Sequence, residues 1–187
     1  MKPGYHSTNI NVGFYTTVHG LGATPSLTEV GGIHVDQYNN MSLDNFWRSA
    51  ENFHVKGSTR WSVSQASPLR RAHIEGNLYL SQNGYSSGGY IGDVQVDGTI
   101  LNGSQQQFML RNTSMKSYNG GNWNVVFVGS PGAPRSHCGK SGGHPYSTID
   151  SSPVIAEKPY IVMGSDGKYS LMKPKIEFNK RGNTPNW

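Results

Sequence analysis

Short apolar–polar–apolar triplets recur along the first two-thirds of the chain: Ile33-His34-Val35, Phe53-His54-Val55, Ala72-His73-Ile74, Val94-Gln95-Val96 and Thr113-Ser114-Met115. Their starts lie 20, 19, 22 and 19 residues apart, and Val12-Gly13-Phe14 fits one step earlier, at 21. Each triplet alternates as a strand does, with its outer residues inward and its middle residue outward. Glycine or Asn often follows, at Gly57, Gly76-Asn77 and Gly98. A strand this short cannot bury its apolar face alone. Stacking one coil on the next at about 4.8 Å buries a shared core and pairs the backbone in parallel. The pattern therefore predicts an all-β solenoid over residues 1–130.

A sandwich of hairpins, the competing all-β reading, predicts no match among outward positions. The triplets do match. Their middle column reads His34, His54, His73, Gln95, Ser114, and the next column reads Asp36, Lys56, Glu75, Asp97, Lys116, mostly alternating in sign. Opposite charges on neighbouring strands attract. From about residue 130 the period fails. Ser130 to Gly143 reads as a loop, and Tyr160–Met163 turns through Gly164–Gly167 into Tyr169–Met172 as a hairpin. Residues 131–187 are expected to pack on the solenoid as a loop and β-hairpin appendage of the same domain.

Composition agrees with frequent turning. The chain of 187 residues has 24 Gly and ten Pro, with only 34% hydrophobic and 14% charged residues. Its formal charge of +5 is uneven, with eight Lys/Arg against seven Asp/Glu before residue 131 and eight against four after it. The basic residues are scattered and do not form a stripe, which argues against nucleic acid. The basic C-terminal part could meet an anionic matrix. A single cysteine, Cys138, excludes an internal disulfide framework. No 18-residue apolar run is present, so no membrane span is expected. Met1-Lys2-Pro3-Gly4 is not followed by the apolar core of a leader. Glycosylation sequons start at Asn40, Asn102 and Asn112.

The stretch Arg60-Trp61-Ser62-Val63-Ser64-Gln65-Ala66-Ser67-Pro68-Leu69-Arg70-Arg71 carries a family resemblance. So do Gly103-Ser104-Gln105-Gln106-Gln107-Phe108 with Arg111-Asn112, Gly121-Asn122-Trp123-Asn124, and Ile155 to Tyr160. Together they resemble the N-terminal β-helix of glycoside hydrolase family 55, the exo-β-1,3-glucanases. They also resemble related bacterial secreted β-helix proteins that carry discoidin-like (factor 5/8 type) domains. The resemblance implies a right-handed parallel β-helix, pectate-lyase-like, in a secreted protein. It further implies a pair of β-helices side by side, with β-1,3-glucan between them and the general acid, a Glu, on the second helix. No position of this chain matches that acid.

The resemblance implies no cofactor. Glycoside hydrolysis by the chain alone would need two facing carboxyls. Glu75 and Asp97, one coil apart, are the best same-face pair, with Asp93 and Glu157 as further candidates. Sugar recognition needs hydroxyl partners and flat apolar faces. Gln65, Gln105, Gln106, Gln107, Arg111, Asn122 and Asn124 supply the first, and Trp61, Trp123, Tyr85 and Tyr90 the second. The column His34, His54, His73 could offer imidazoles to a metal, although three ligands in line do not make a tetrahedron. His137, Cys138 and His144 share one Gly-rich loop. Gly139-Lys140-Ser141 is no phosphate loop, because Pro134 stands where that motif needs Gly. Three functions remain open: a polysaccharide-binding β-helix that assembles with a second helix, a complete hydrolase, and a matrix protein that self-assembles through its solenoid ends.

Overall fold

A computed structural model describes residues 1–39, 41–82 and 84–184; the sequon at Asn40 lies outside them. The chain winds as a parallel β-helix of about seven turns. Each coil crosses three faces. Face I and then face II are crossed by β1 (Gly4–Asn11) and β3 (Thr28–Val35). β2 (Thr16–His19) lies on face III, and β4 (Arg48–Val55) bends from face III to face I. β5 (Thr59–Trp61) and β7 (Leu78–Tyr79) continue face II, and β6 (Pro68–Ile74) bends from III to I. β8 (Tyr90–Gly103) crosses all three faces. β9 (Gln107–Arg111), β11 (Asn124–Val128) and β12 (Tyr146–Ile149) extend face III, while β10 (Ser114–Gly120) ends faces I and II.

The corners differ in chemistry. Between faces I and II stands a column of glycines linked by backbone hydrogen bonds, Gly57 to Gly31, Gly76 to Gly57 and Gly98 to Gly76. A Cβ on Gly98 would come within 2.5 Å of the Gly76 carbonyl oxygen, so the coils could not close up over a larger residue. Between faces III and I the chain turns on single left-handed residues, Asn52, Arg71, Asp93, Asn112 and Gly129. Asn and Asp bear this conformation best among side-chain-bearing residues. Between faces II and III run longer loops, 36–47, 62–67 and 80–89.

The inside is continuous. Phe53, Trp61, Leu69, Ile74, Leu78, Ile91, Ile100, Leu110 and Phe127 are all fully buried in one cluster. The expected triplets fall into register on face I from the fourth strand on. Phe53-His54-Val55 pairs with Ala72-His73-Ile74, that with Val94-Gln95-Val96, and Gln95-Val96 with Ser114-Met115. The first triplets are corrected. Val30, not Val35, pairs with Val55, whereas His34 and Val35 pair with Arg60 and Trp61 on face II. Ile33 pairs with Ile10, so Val12-Gly13-Phe14 is two residues out of register. The cause is coil length: the insertion at 36–47 stretches the coil from Val30 to Val55, and the loops before Thr28 stretch the one from Ile10 to Ile33.

Parallel pairing continues beyond residue 130, because β12 joins β11 from Val125–Tyr146 to Val128–Ile149. The hairpin at 160–172 forms as expected from β14 (Tyr160–Met163) and β15 (Tyr169–Met172). It sits inside a second antiparallel pair, β13 (Ser152–Ala156) and β16 (Ile176–Lys180). This double hairpin straps the corner between faces III and I lengthwise. Ser152 donates to Asn112, the Lys180 ammonium and the Thr184 hydroxyl approach Asp93, Arg71 donates to the Tyr160 hydroxyl, and Met163 N–H reaches Leu21 O. The sequons at Asn102 and Asn112 are unavailable, since both residues are fully buried.

A candidate carbohydrate surface

The loops entering face III repeat one local conformation. Tyr15, Trp47, Ala66 and Gly88 all have positive φ, and each stands one or two residues before a face III strand. On the first two coils this corner carries aromatic rings. Tyr15 and Trp47 stack at 5.1 Å with 20° between their planes, and both are largely exposed. On the next two the same corner carries Ala66 and the pair Gly88-Gly89. With no bulk there, the surface sinks into a trough of about 370 Å³ lined by Gln65, Ala66, Ser67, Pro68, Arg70, Gly89 and Tyr90. Gly89 is required, because a Cβ would lie 2.3 Å from the buried Phe108 ring.

Tyr90 forms the aromatic wall. Its ring folds over Gly92, where a Cβ would sit 2.6 Å from the hydroxyl. Arg70 and Arg111 lie at 4.4 and 5.6 Å from its ring centre, cation–π contacts that fix it. Burial, followed by the opposing effect of Arg111, leaves the phenol pKa above its ordinary value, so it stays a neutral group. On the other side the Gln65 amide donates to the Ser87 hydroxyl at 3.1 Å, and Ser64 and Ser87 hydroxyls stand 3.4 Å apart. Further along, Trp123 N–H and Asn124 N–H both reach Gln106 O, and Asn124 pairs with Gln107. Gln107, Asn122, Trp123 and Asn124 are thereby held side by side with exposed side chains. The Asn122 amide donates to Ser104 O.

A charged edge closes face III beneath the strap. Glu51 is buried, which alone would raise its pKa; hydrogen bonds from His19 and Lys158 outweigh this and keep it ionised. Glu157 is the opposite case. It is almost fully buried, with Arg111 3.8 Å away, and desolvation followed by the Asp93 charge raises its pKa.

Several expected residues stand elsewhere. Trp61 is fully buried, its indole N–H bonded to Ser67 O, and cannot stack on a sugar. Gln105 is equally buried, its amide donating to Val63 O and Leu80 O as an internal rung between coils. Glu75 and Asp97 lie on face I, away from the trough. Glu75 accepts from Lys56 at 2.5 Å and His54 at 2.9 Å, and Asp97 from His73 and Gln95 at 2.8 Å. Both carboxyls titrate below their ordinary values, Glu75 chiefly through the Lys56 hydrogen bond, Asp97 because those two bonds outweigh its desolvation. That favours an ionised ladder, not a proton donor. The His54 and His73 rings stack at 4.6 Å, but His34 lies on face II, which corrects the three-imidazole column. No cluster of three metal-ligating side chains occurs among the described residues, and that includes the His137, Cys138 and His144 loop. Tyr85 is exposed on the loop beside Met41. Sequence reasoning missed Tyr15 and Trp47; aligning the residue before each face III strand would have found them.

Comparison with known proteins follows the same lines. No protein-family model matches the chain. An exo-β-1,3-glucanase from Streptomyces sp. (strain SirexAA-E / ActE) is 41% identical over 97% of this chain, which spans only 31% of that protein, in its N-terminal part. The solved structure of sacteLam55A from the same organism superposes with a TM-score of 0.93 at 39% identity, covering 99% of this chain and 35% of the other. A variant of sacteLam55A in complex with glucose gives 0.92 at 40% identity, covering 98% and 34%. The chain thus spans about a third of the length of these relatives.

Proposed function

Because this chain is homologous to the N-terminal β-helix of a glycoside hydrolase family 55 exo-β-1,3-glucanase, we propose that it is an extracellular β-1,3-glucan-binding β-helix that does not cleave glucan unaided. The observation that carries the reading is the trough at Gln65, Tyr90 and the small left-handed corner residues. A pyranose ring offers C–H faces and a rim of hydroxyls, and it meets here an aromatic wall, amides, hydroxyls and the Arg70 guanidinium. Tyr15 and Trp47 extend this surface on one side, and Trp123 with Asn122, Asn124, Gln106, Gln107 and Arg111 on the other. No carboxyl lines the trough among the described residues, so the pair that hydrolysis needs is not assembled there.

The strap fits assembly with a second β-helix. Val154, Ile161, Leu171, Ile176 and Phe178 are exposed together on the double hairpin, an apolar surface of the kind that marks an interface. The occupant we assign is the remaining two-thirds of a protein of the relatives' length. Affinity electrophoresis in gels containing laminarin tests the binding function. Retardation of the wild type, lost in Gln65→Ala and Trp123→Ala, supports it. Unretarded wild-type protein sinks it, and release of reducing sugar by this chain alone sinks the non-catalytic part.

A further inference from the structure

A further cavity lies outside the trough. It occupies about 560 Å³ on face II and is lined by His34, Ser58, Arg60, Tyr79, Ser81 and Gln82. Its residues come from three successive coils, paired His34 to Arg60 and Arg60 to Tyr79. Its polar groups are already arranged by one another. Arg60 donates two hydrogen bonds to Asp36, at 2.6 and 3.5 Å, and the Gln82 amide donates to the same carboxylate at 3.2 Å. The Gln82 carbonyl in turn accepts from Gln37 N–H at 2.5 Å. His34 Nδ1 accepts the Arg60 backbone N–H at 3.3 Å, which places the remaining ring proton of the neutral form on Nε2. Tyr79 is fixed by the Asn77 amide at its hydroxyl, and Ser81 by Ser104.

The chemistry of this lining selects a ligand class. Asp36 balances Arg60, and the imidazole is uncharged in the form its hydrogen bond requires, so the cavity has no net charge to offer an anion or a cation. No cluster of three metal-ligating side chains occurs among the described residues. What it offers is a phenol ring on one wall and, around it, both donors and acceptors: a guanidinium with five N–H groups of which Asp36 takes two, an amide, hydroxyls and an imidazole. A neutral polyhydroxyl ring matches that set, with C–H bonds against the aromatic face and vicinal hydroxyls bridging the guanidinium–carboxylate pair.

We propose that the face II cavity is a second carbohydrate site, which binds a neutral pyranoside between Tyr79 and the Arg60–Asp36 pair. The assignment rests on this lining and is independent of the trough on face III. A helix so equipped would hold glucan at two places on different sides, which raises the local concentration of one polymer at the other site without new contacts.

Titration of the ¹⁵N-labelled protein with laminaritriose, followed by NMR, tests it. Saturable shifts are expected at the Arg60 side-chain Nε–H, the Gln82 amide and the His34 ring. Arg60→Ala should weaken the responses that remain, at the Gln82 amide and the His34 ring, by about tenfold, the loss expected for one charge-assisted hydrogen bond. Gln82→Ala, which leaves the ion pair in place, should weaken those at Arg60 and His34 less. Gln65→Ala should abolish shifts around the trough and leave those on face II. If face II shifts disappear in Gln65→Ala, or persist unchanged in Arg60→Ala, the second site is overturned while the trough stands. The same holds if wild-type protein shows no face II shift, or if inorganic phosphate produces it in place of the sugar.

Discussion

The outer side of face I and the trough beside face III are made from the same coils, yet their side chains are differently engaged. On face I, Glu29, His54, Lys56, Glu75, His73 and Asp97 are tied to one another from coil to coil. Each charge has its partner one strand away, so the ladder has little left to offer a ligand. Further along face III from the trough the backbone does the tying, and Gln107, Trp123 and Asn124 stand exposed on a fixed frame. Tyr15 and Trp47 are stacked but open to solvent. The charges of face I, each engaged by a neighbour, therefore read as structure, while the exposed amides and rings at the face III corner are the groups on which the proposed recognition rests.

The two tryptophans named for sugar binding give the sharpest way to break that contrast. Trp61→Ala empties a fully enclosed site and removes a buried hydrogen bond, with an expected loss of about 3–5 kcal/mol in stability. Trp123→Ala, at 57% exposure, should change stability by no more than about 0.5 kcal/mol. Urea unfolding of both variants decides the matter. Similar losses in the two would mean that the surface of face III is part of the core after all.

The corner under the strap is next in size. Lys180 is buried with its ammonium 2.6 Å from Glu177 and 3.6 Å from Asp93. Lys180→Met takes the cation from Glu177 and leaves Asp93 with Arg71 at 3.8 Å, so it should cost about 2 kcal/mol, less than a buried charge stripped of every partner. Amide exchange over residues 152–184 should rise with it. A variant as stable as wild type would show that the strap is held by its backbone contacts alone.

Much of this was legible in the chain. The spacing of Phe53, Ala72, Val94 and Thr113 gave the coil, and Gly57, Gly76 and Gly98 gave one corner, because a stacked strand repeats its inward residues at the same register. What defeated the first coils was loop length. Val30 and Val55 are 25 residues apart across the 36–47 insertion, while Ile33 and Phe53 keep a spacing of 20 by accident and lie on different faces. Polarity also failed to tell inside from outside for Gln105 and Trp61. A buried amide satisfied by two carbonyls and a buried indole satisfied by one look, in sequence, like a binding pair. The strap's inner hairpin, Tyr160–Met163 with Tyr169–Met172, was legible, but its docking was not, since its contacts with Asp93, Arg71 and Glu51 join residues far apart in the chain.

Binding by the trough should depend on its aromatic wall more modestly. Tyr90→Leu keeps an apolar side chain but loses the ring, and the loss in laminarin affinity should be about 1 kcal/mol, roughly fivefold. Unchanged retardation would move the sugar away from the wall. Glu157 offers a subtler probe of the edge. Its raised pKa means that it favours the folded state in its protonated form, and that this contribution fades as pH climbs from the unfolded value of 4.5 through the folded one. Glu157→Gln should therefore match wild type near pH 4 and gain relative stability toward neutral pH. A constant difference across that range would place the carboxyl in contact with water.

The smallest effect is expected on face I. Asp97 has a lowered pKa, so its contribution is present above the unfolded value of 3.8 and is lost as pH falls through the folded one. The carboxylate is close to half exposed, and its bonds with His73 and Gln95 compete with water. Asp97→Asn should thus cost less than about 1 kcal/mol at neutral pH and nothing measurable near pH 2. Retardation by laminarin should be untouched. This is also the substitution that a self-sufficient hydrolase would feel most, with Glu75→Gln beside it. If the wild-type chain released sugar and Asp97→Asn abolished that release, the paired ladder would be the working face and the trough the passive one.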